Sequence, residues 1–239
     1  MIFKSCCYTL DPGILTAYIE SILLCNDSMA ETEYSPEMRL FSPDGERLYL
    51  TGDERGRFLD AAEHEDNENQ MFCRVLHYTG CRPSEALELV PGRVLFDEKA
   101  LVFRSLKKRK EDSRGRPKHP QFRTVPVPKH IIKDLDFVFG IRKLKRKDKG
   151  LDNPLWKMSR PTAYRLVKRV MERAGVKGKQ ATGKGLRHGF GVAMVTAKKP
   201  LPIHILSQLM GHSDTKTTEI YLQVVDEEKR QLVEDAWEG

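Results

Sequence analysis

The sequence predicts an α+β fold, mainly helical, with a small three-stranded antiparallel sheet. Apolar residues recur at helical spacing through most of the chain after about residue 50, and the strand-like runs are three short ones between Val94 and Val127. A length of 239 residues suffices for one large domain, or one domain with a small appendage, around a real core.

From Met1 to about Leu50 the expectation is an arm or linker. Ile14 to Cys25 reads as one amphipathic helix, followed by an acidic stretch to Pro36 and a Ser-Pro-Asp-Gly turn at Ser42 to Gly45. Thr51 to Glu54 fits a capping box, and Phe58, Leu59 and Ala62 continue the helix it opens. A second helix runs from about Glu68 to Thr79 with Met71, Val75 and Leu76 inward, and Gly80 ends it as a C-cap. Pro83 suits the first position of a third helix, because that N–H has no intrahelical partner to lose.

Val94 to Phe96 and Leu101 to Phe103 are strands around the Asp97-Glu98-Lys99 turn, and Phe122 to Val127 is the third. Helices follow from Lys129, from Pro161 to Ala174, from Gly183 to Ala197, from Pro202 to Met210 and from Thr215 to Tyr221. A last helix, Asp226 to Trp237, carries acids at its positive end and Leu232, Val233, Ala236 and Trp237 on one stripe.

The charge is uneven. Met1 to Gln70 holds 5 Lys+Arg against 15 Asp+Glu, leaving 36 against 19 for Met71 to Gly239. A surplus of that size suits a polyanion such as a nucleic-acid backbone, and equally RNA or anionic lipid. Basic runs stand at Lys107 to Lys110, continued by Arg114, Arg116 and Lys118, and at Arg142 to Lys149. The second is expected to touch backbone phosphate without reading sequence. No apolar run approaches a membrane span or a signal peptide, and five cysteines without a CxxC pair make neither a disulfide framework nor a zinc site. The expectation is a cytoplasmic protein without cofactor or metal.

The candidate chemistry lies in Gly183 to Tyr221. Read as a helix, its start places Leu186, Phe190, Ala193, Met194 and Ala197 on one apolar stripe and Lys184, Arg187 and His188 on the adjoining polar face. His212 follows a glycine, and Tyr221 comes nine residues later. Arginine offers a phosphate two parallel charge-assisted hydrogen bonds, and a tyrosine relieved of its proton can form a phosphoester. Earlier, Thr79-Gly80-Cys81-Arg82-Pro83-Ser84-Glu85 presents Arg82 beside a helix N-terminus, with Glu85 placed to brace it. Each residue alone also has an ordinary reading: a core tyrosine, a capping histidine, a solvated arginine.

Taken together, the motifs resemble the catalytic domain of the tyrosine recombinases, the phage-integrase family. The resemblance covers roughly Thr51 to Val225 and rests on boxes in the family's order: Thr-Gly-Cys-Arg82-Pro-Ser-Glu, Phe-Arg-Ser-Leu-Lys107, Lys184-Gly-Leu-Arg187-His188, Gly-His212-Ser and Thr-Thr-Glu-Ile-Tyr221. It implies that family's catalytic fold over residues 51 to 239, with a preceding segment too short for a full core-binding domain. The implied site is Arg82, Lys107, Lys184, Arg187, His212 and Tyr221, with Lys108 as the competitor of Lys107. The family usually has His at the position of Lys184.

The implied reaction is site-specific recombination of double-stranded DNA. Tyr221 attacks the scissile phosphate, leaving a 3′-phosphotyrosyl bond and a free 5′-hydroxyl, without metal or ATP. Arg82, Arg187 and His212 stabilise the transition state, Lys107 is the acid for the leaving oxygen, and Lys184 adds charge or a second proton. The resemblance also implies a tetramer on DNA, with a monomer possible when free. Two alternatives stay open: a type IB topoisomerase, with the same chemistry but resealing the strand it cut, and a relative that binds DNA without cutting.

Overall fold

A computed structural model describes residues 39–105, 120–212 and 215–224, together with Trp237. The helix expected at Ile14 to Cys25, the basic loop with Lys107 and Lys108, Ser213 of the Gly-His-Ser motif and the helix expected from Asp226 lie outside the described residues, apart from the exposed Trp237.

The described body is mainly helical. It opens with α1 (Gly52–Ala62), α2 (Asn67–Thr79) and α3 (Pro83–Leu87), passes a 3-10 turn (Pro91–Arg93) and forms β1 (Val94–Leu95), β2 (Ala100–Arg104) and β3 (Phe122–Pro126). It closes with α4 (Lys129–Phe139), α5 (Ile141–Lys147), α6 (Arg160–Arg173), α7 (Gly183–Val195), α8 (Ile203–Met210) and α9 (Lys216–Glu219). The strands lie in the order β1-β2-β3, both pairs antiparallel, with Leu101 opposite Val94 on one side and Val125 on the other. The expected α+β class is the observed one.

The helix limits follow from chemistry legible in the chain. The Thr51 hydroxyl accepts from the Glu54 N–H while the Glu54 carboxylate accepts from the Thr51 N–H at 2.9 Å, the capping box expected there. Asp66 caps α2 by accepting from Asn69, and Gly80 closes it in the left-handed conformation. Ser159 accepts from Thr162 at the start of α6, and Thr182 from Gly185 at the start of α7.

One core cluster binds these elements. Phe58, Phe72, Leu76, Phe103, Ile131, Leu135, Leu166, Val170 and Leu186 are buried in it, each Leu, Ile or Phe contributing roughly 1.5–3 kcal/mol relative to exposure. Trp156 packs edge-on between Phe72 and Phe139, and its indole N–H donates to the Glu68 carbonyl at 2.8 Å. Residues expected in the arm join this body: Leu40, Tyr49 and Leu50 are buried, and Leu50 N–H donates to the Gly185 carbonyl.

The basic run from Arg142 to Lys149 begins on a helix, α5, whose Ile141 is buried and whose Lys145 ammonium caps the Val94 carbonyl at 2.7 Å. One expectation changes: the two-faced reading of α7 fails. It is buried nearly all round because it packs against α1 and α2 on one side and α8 on the other, so Arg187 and His188 are interior while Lys184 is exposed. Ala193 and Met194, assigned to the apolar stripe, are only half-buried, and Ala197 is exposed beyond the helix end. Periodicity alone overstated the difference between the faces, since three glycines, Gly185, Gly189 and Gly191, let neighbours close on the rest of the helix.

Candidate active site

Two turns and two helices meet around one guanidinium. The left-handed Gly80 turns the chain from α2 into α3 and leaves Arg82 as the N-cap of α3, with a side chain 21% exposed. The buried Glu85 carboxylate accepts from the Arg82 backbone N–H at 2.9 Å and from its Nη1 at 3.0 Å, so the brace expected from sequence is present. Burial alone would raise the Glu85 pKa. The bond from Arg123 and the neighbouring guanidiniums outweigh that and hold the carboxyl below its ordinary range.

Arg187, in the first half of α7, reaches both loops. Its Nη1 donates to the Gly80 carbonyl at 2.7 Å and its Nη2 to the Met210 carbonyl at 2.6 Å. Met210 ends α8, and Gly211 follows in the left-handed conformation with φ +67, after which His212 turns inward. The guanidinium therefore ties the Arg82 turn to the His212 turn. Burial, and next the charge of Arg82, lower its pKa to about 10, which leaves it cationic at neutral pH.

His212 Nδ1 shares a 2.8 Å hydrogen bond with the Thr218 hydroxyl, and its Nε2 is shielded and has no partner among the described residues. Burial first, then Arg187 and Arg82, push its pKa down to about 3, so the ring is neutral and keeps one N–H to donate. Tyr221 is fully buried, its ring lying over Gly191 so closely that any Cβ there would overlap it. The Tyr221 hydroxyl and His188 Nδ1 share a hydrogen bond of 3.0 Å. Burial raises the phenol's pKa, while Arg187 and then Arg82 act the other way.

The site residues expected from sequence thus sort clearly. Arg82, Arg187, His212 and Tyr221 are brought together through the Gly80, Met210 and Thr218 contacts and by mutual electrostatic influence. Lys184 stands at the second position of α7, on its exposed side, and contributes to the low pKa of His188 after burial does. Lys107 and Lys108 lie outside the described residues. Among the described residues no group of His, Cys, Asp and Glu is arranged to hold a metal, and no helix is long and apolar enough to cross a membrane.

Two residues absent from the expected site belong to its framework. His188 was read only as one member of a polar face, and its position next to Arg187 does not by itself reveal a contact with Tyr221 thirty-three residues away. Arg123 had a legible signal. In β3 the inward positions alternate as Arg123 and Val125, followed by the buried Val127, so a cation stands in an apolar row and needs a buried anion.

The chain matches the phage integrase family over residues 48–228 and belongs to that family. It is 26% identical over 196 residues to the tyrosine recombinase XerA of Pyrococcus furiosus, covering 78% of this chain and 61% of that one. It is 32% identical over 204 residues to the tyrosine recombinase XerC of Caldanaerobacter subterraneus, covering 83% of this chain and 52% of that one. The chain therefore spans little more than half the length of these relatives. Among solved structures, that of XerA recombinase aligns with a TM-score of 0.61 at 25% identity, covering 79% of this chain and 65% of that chain. The XerH site-specific recombinase bound to its difH substrate aligns with a TM-score of 0.59 at 18% identity, covering 76% and 52%, and supports the fold.

Proposed function

We propose that this chain is a site-specific DNA recombinase that cuts and rejoins strands through a 3′-phosphotyrosyl intermediate. The observation that supports the reading is the Arg187 guanidinium, which bridges the Gly80 and Met210 carbonyls and so ties the Arg82 turn to the His212 turn, while Arg187 and Arg82 both act to lower the pKa of the Tyr221 phenol.

The chemistry follows from that arrangement. Tyr221 Oη passes its proton along the hydrogen bond to His188 Nδ1 and attacks the scissile phosphorus, the P–O5′ bond breaks, and the phosphate stays on the enzyme as a phosphotyrosine. Negative charge growing on the phosphoryl oxygens is met by two guanidiniums and the remaining N–H of His212, already fixed by partners and so needing little reorganisation. Lys184 adds a cation at the rim, and Lys107 is assigned the proton for the departing 5′-oxygen. In the second half the 5′-hydroxyl of another strand attacks the ester, and the proton and bond count is restored. Because the ester keeps the phosphodiester's energy, the exchange as written calls for neither ATP nor metal.

The partners proposed are double-stranded DNA and further copies of this chain, as a tetramer on DNA, in the cytoplasm and on the nucleoid. Residues 51 to 239 form the catalytic domain. The excess of 36 Lys+Arg over 19 Asp+Glu after residue 70 supports attraction to a phosphate backbone.

The test uses a pool of random-sequence duplexes, each nicked so that the short 5′-hydroxyl strand diffuses away after cleavage. Adducts that survive boiling in SDS are recovered and sequenced. The expected result is a covalent adduct on a narrow set of sequences, lost in Tyr221→Phe. Binding without an adduct would mark a non-catalytic relative. An adduct on nearly any sequence, with relaxation of supercoiled plasmid, would mark a topoisomerase.

A further inference from the structure

Among the described residues, the most enclosed ion pair bearing on the site belongs to a residue the chemistry above does not use. Arg123 on β3 is buried, and its guanidinium meets Glu85 end-on, Nη2 to Oε2 at 2.6 Å and Nη1 to Oε1 at 3.2 Å. The third donor, Nε, bonds the Leu209 carbonyl at 2.8 Å in the last turn of α8. The guanidinium also stands 5.4 Å from the centroid of the Phe103 ring on β2. From one side chain, then, bonds run to α3, which carries Arg82, and to α8, which leads into His212.

The rest of the geometry agrees with a device rather than an incidental pair. Glu85 is shared: Oε1 accepts from Arg82 as well as from Arg123, so the carboxylate's position fixes where the Arg82 guanidinium points. The end of α8 is shared in the same way, Leu209 held by Arg123 and Met210 by Arg187. A Cβ on Gly211 would lie 3.0 Å from Arg123 Cδ and Nη1, so this turn is glycine both for its φ and for the room the arginine takes. Burying such a pair carries a desolvation penalty that apolar packing avoids, which makes a purely stabilising role a poor account of it.

We propose that Arg123 is a positioning residue for strand cleavage, aiming Arg82 through Glu85 and setting the His212 turn through the Leu209 carbonyl. The assignment rests on the recombinase reading above. It requires that Arg123 touch no DNA itself, and that its loss be felt at the reaction step rather than in binding.

The experiment takes a nicked duplex recovered from the selection and measures adduct rate at saturating DNA, half-saturating DNA concentration and thermal midpoint. The proteins are the parent, Arg123→Lys, Arg123→Met, Glu85→Gln and Arg82→Ala. Displacement of a catalytic group by about an ångström costs about 10²-fold in rate, which is the loss expected for Arg123→Met at saturation, with half-saturation within about twofold of the parent. Arg123→Lys, which keeps charge but not the fork, is expected to lose rate as well while remaining folded. In the Arg123→Lys background, Arg82→Ala is expected to cost much less than in the parent, because Arg82 is already misplaced. A parental rate in Arg123→Lys and Arg123→Met, a loss that only follows the folded fraction or DNA affinity, or full additivity with Arg82→Ala overturns the assignment alone. A parent that forms no adduct overturns the recombinase reading, and this proposal with it.

Discussion

The Tyr221 hydroxyl sits 3.0 Å from Nδ1 of His188, the residue adjoining Arg187 on α7. One short stretch of helix thus carries both the guanidinium that lowers the phenol's pKa and the ring that bonds its oxygen, against the upward push of burial. His188 is itself held neutral, its pKa lowered to about 3 by burial and then by Lys184 and Arg187.

His188→Leu removes that bond without opening a large cavity. It is expected to slow adduct formation by about 10²-fold, the lower end of what a positioned proton partner contributes, with DNA affinity unchanged. Single-turnover adduct rates at saturating DNA measure this. A leucine variant as fast as the parent would show that the bond serves packing alone.

Arg82 and Arg187 are expected to behave alike in chemistry and differently in stability. Alanine at either should slow cleavage by about 10²–10³-fold, the scale for a lost transition-state donor. Arg187→Ala also strips donors from the buried Gly80 and Met210 carbonyls, at about 1–3 kcal/mol for each group left unsatisfied. Arg82→Ala leaves no comparable carbonyl behind. Urea unfolding should separate the two, and equal midpoints would contradict the clamp.

Folding stability should fall as the solution is acidified. His77, His188 and His212 have pKa values pushed down from 6.5 to about 3, by burial first and neighbouring cations second. Each is neutral when folded and gains a proton on unfolding below about pH 6.5, so the stability it contributes is intact above that pH. It is lost toward pH 3 at about 1.4 kcal/mol per pH unit and residue. Glu54, lowered to about 2 by its bond with Arg47, adds loss below pH 4.5. His77 has no assigned part in the proposed chemistry, and His77→Leu should flatten the slope of unfolding free energy between pH 6 and 4.5. An unchanged slope would remove it from the account.

Lys184 is exposed where Arg187 is buried, and the contribution proposed for it is charge at the rim of the site. Lys184→Ala is expected to form adduct slowly at every pH, and Lys184→His to approach the parent below the imidazole's ordinary pKa of about 6.5 and fall away above it. Adduct rate against pH for the three proteins is the measurement. An alanine variant equal to the parent removes Lys184 from the site.

Local chemistry by itself determined the helix starts at Thr51 and Pro83, the Gly80 stop, the three strands and the order of boxes from Arg82 to Tyr221, because caps, turns and residue spacing act over a few neighbours. What only the tertiary structure decided is where the cations face and what they hold. Arg187 is interior because α7 is enclosed by α1, α2 and α8, and its partners Gly80 and Met210 come from distant parts of the chain. The same holds for Tyr221 against His188 and for Arg123 between Glu85 and Leu209. Periodicity says which side of a helix is apolar. Which buried polar group meets which is fixed by the packing of remote segments, because an interior guanidinium or carboxylate is tolerable only where folding brings it a partner.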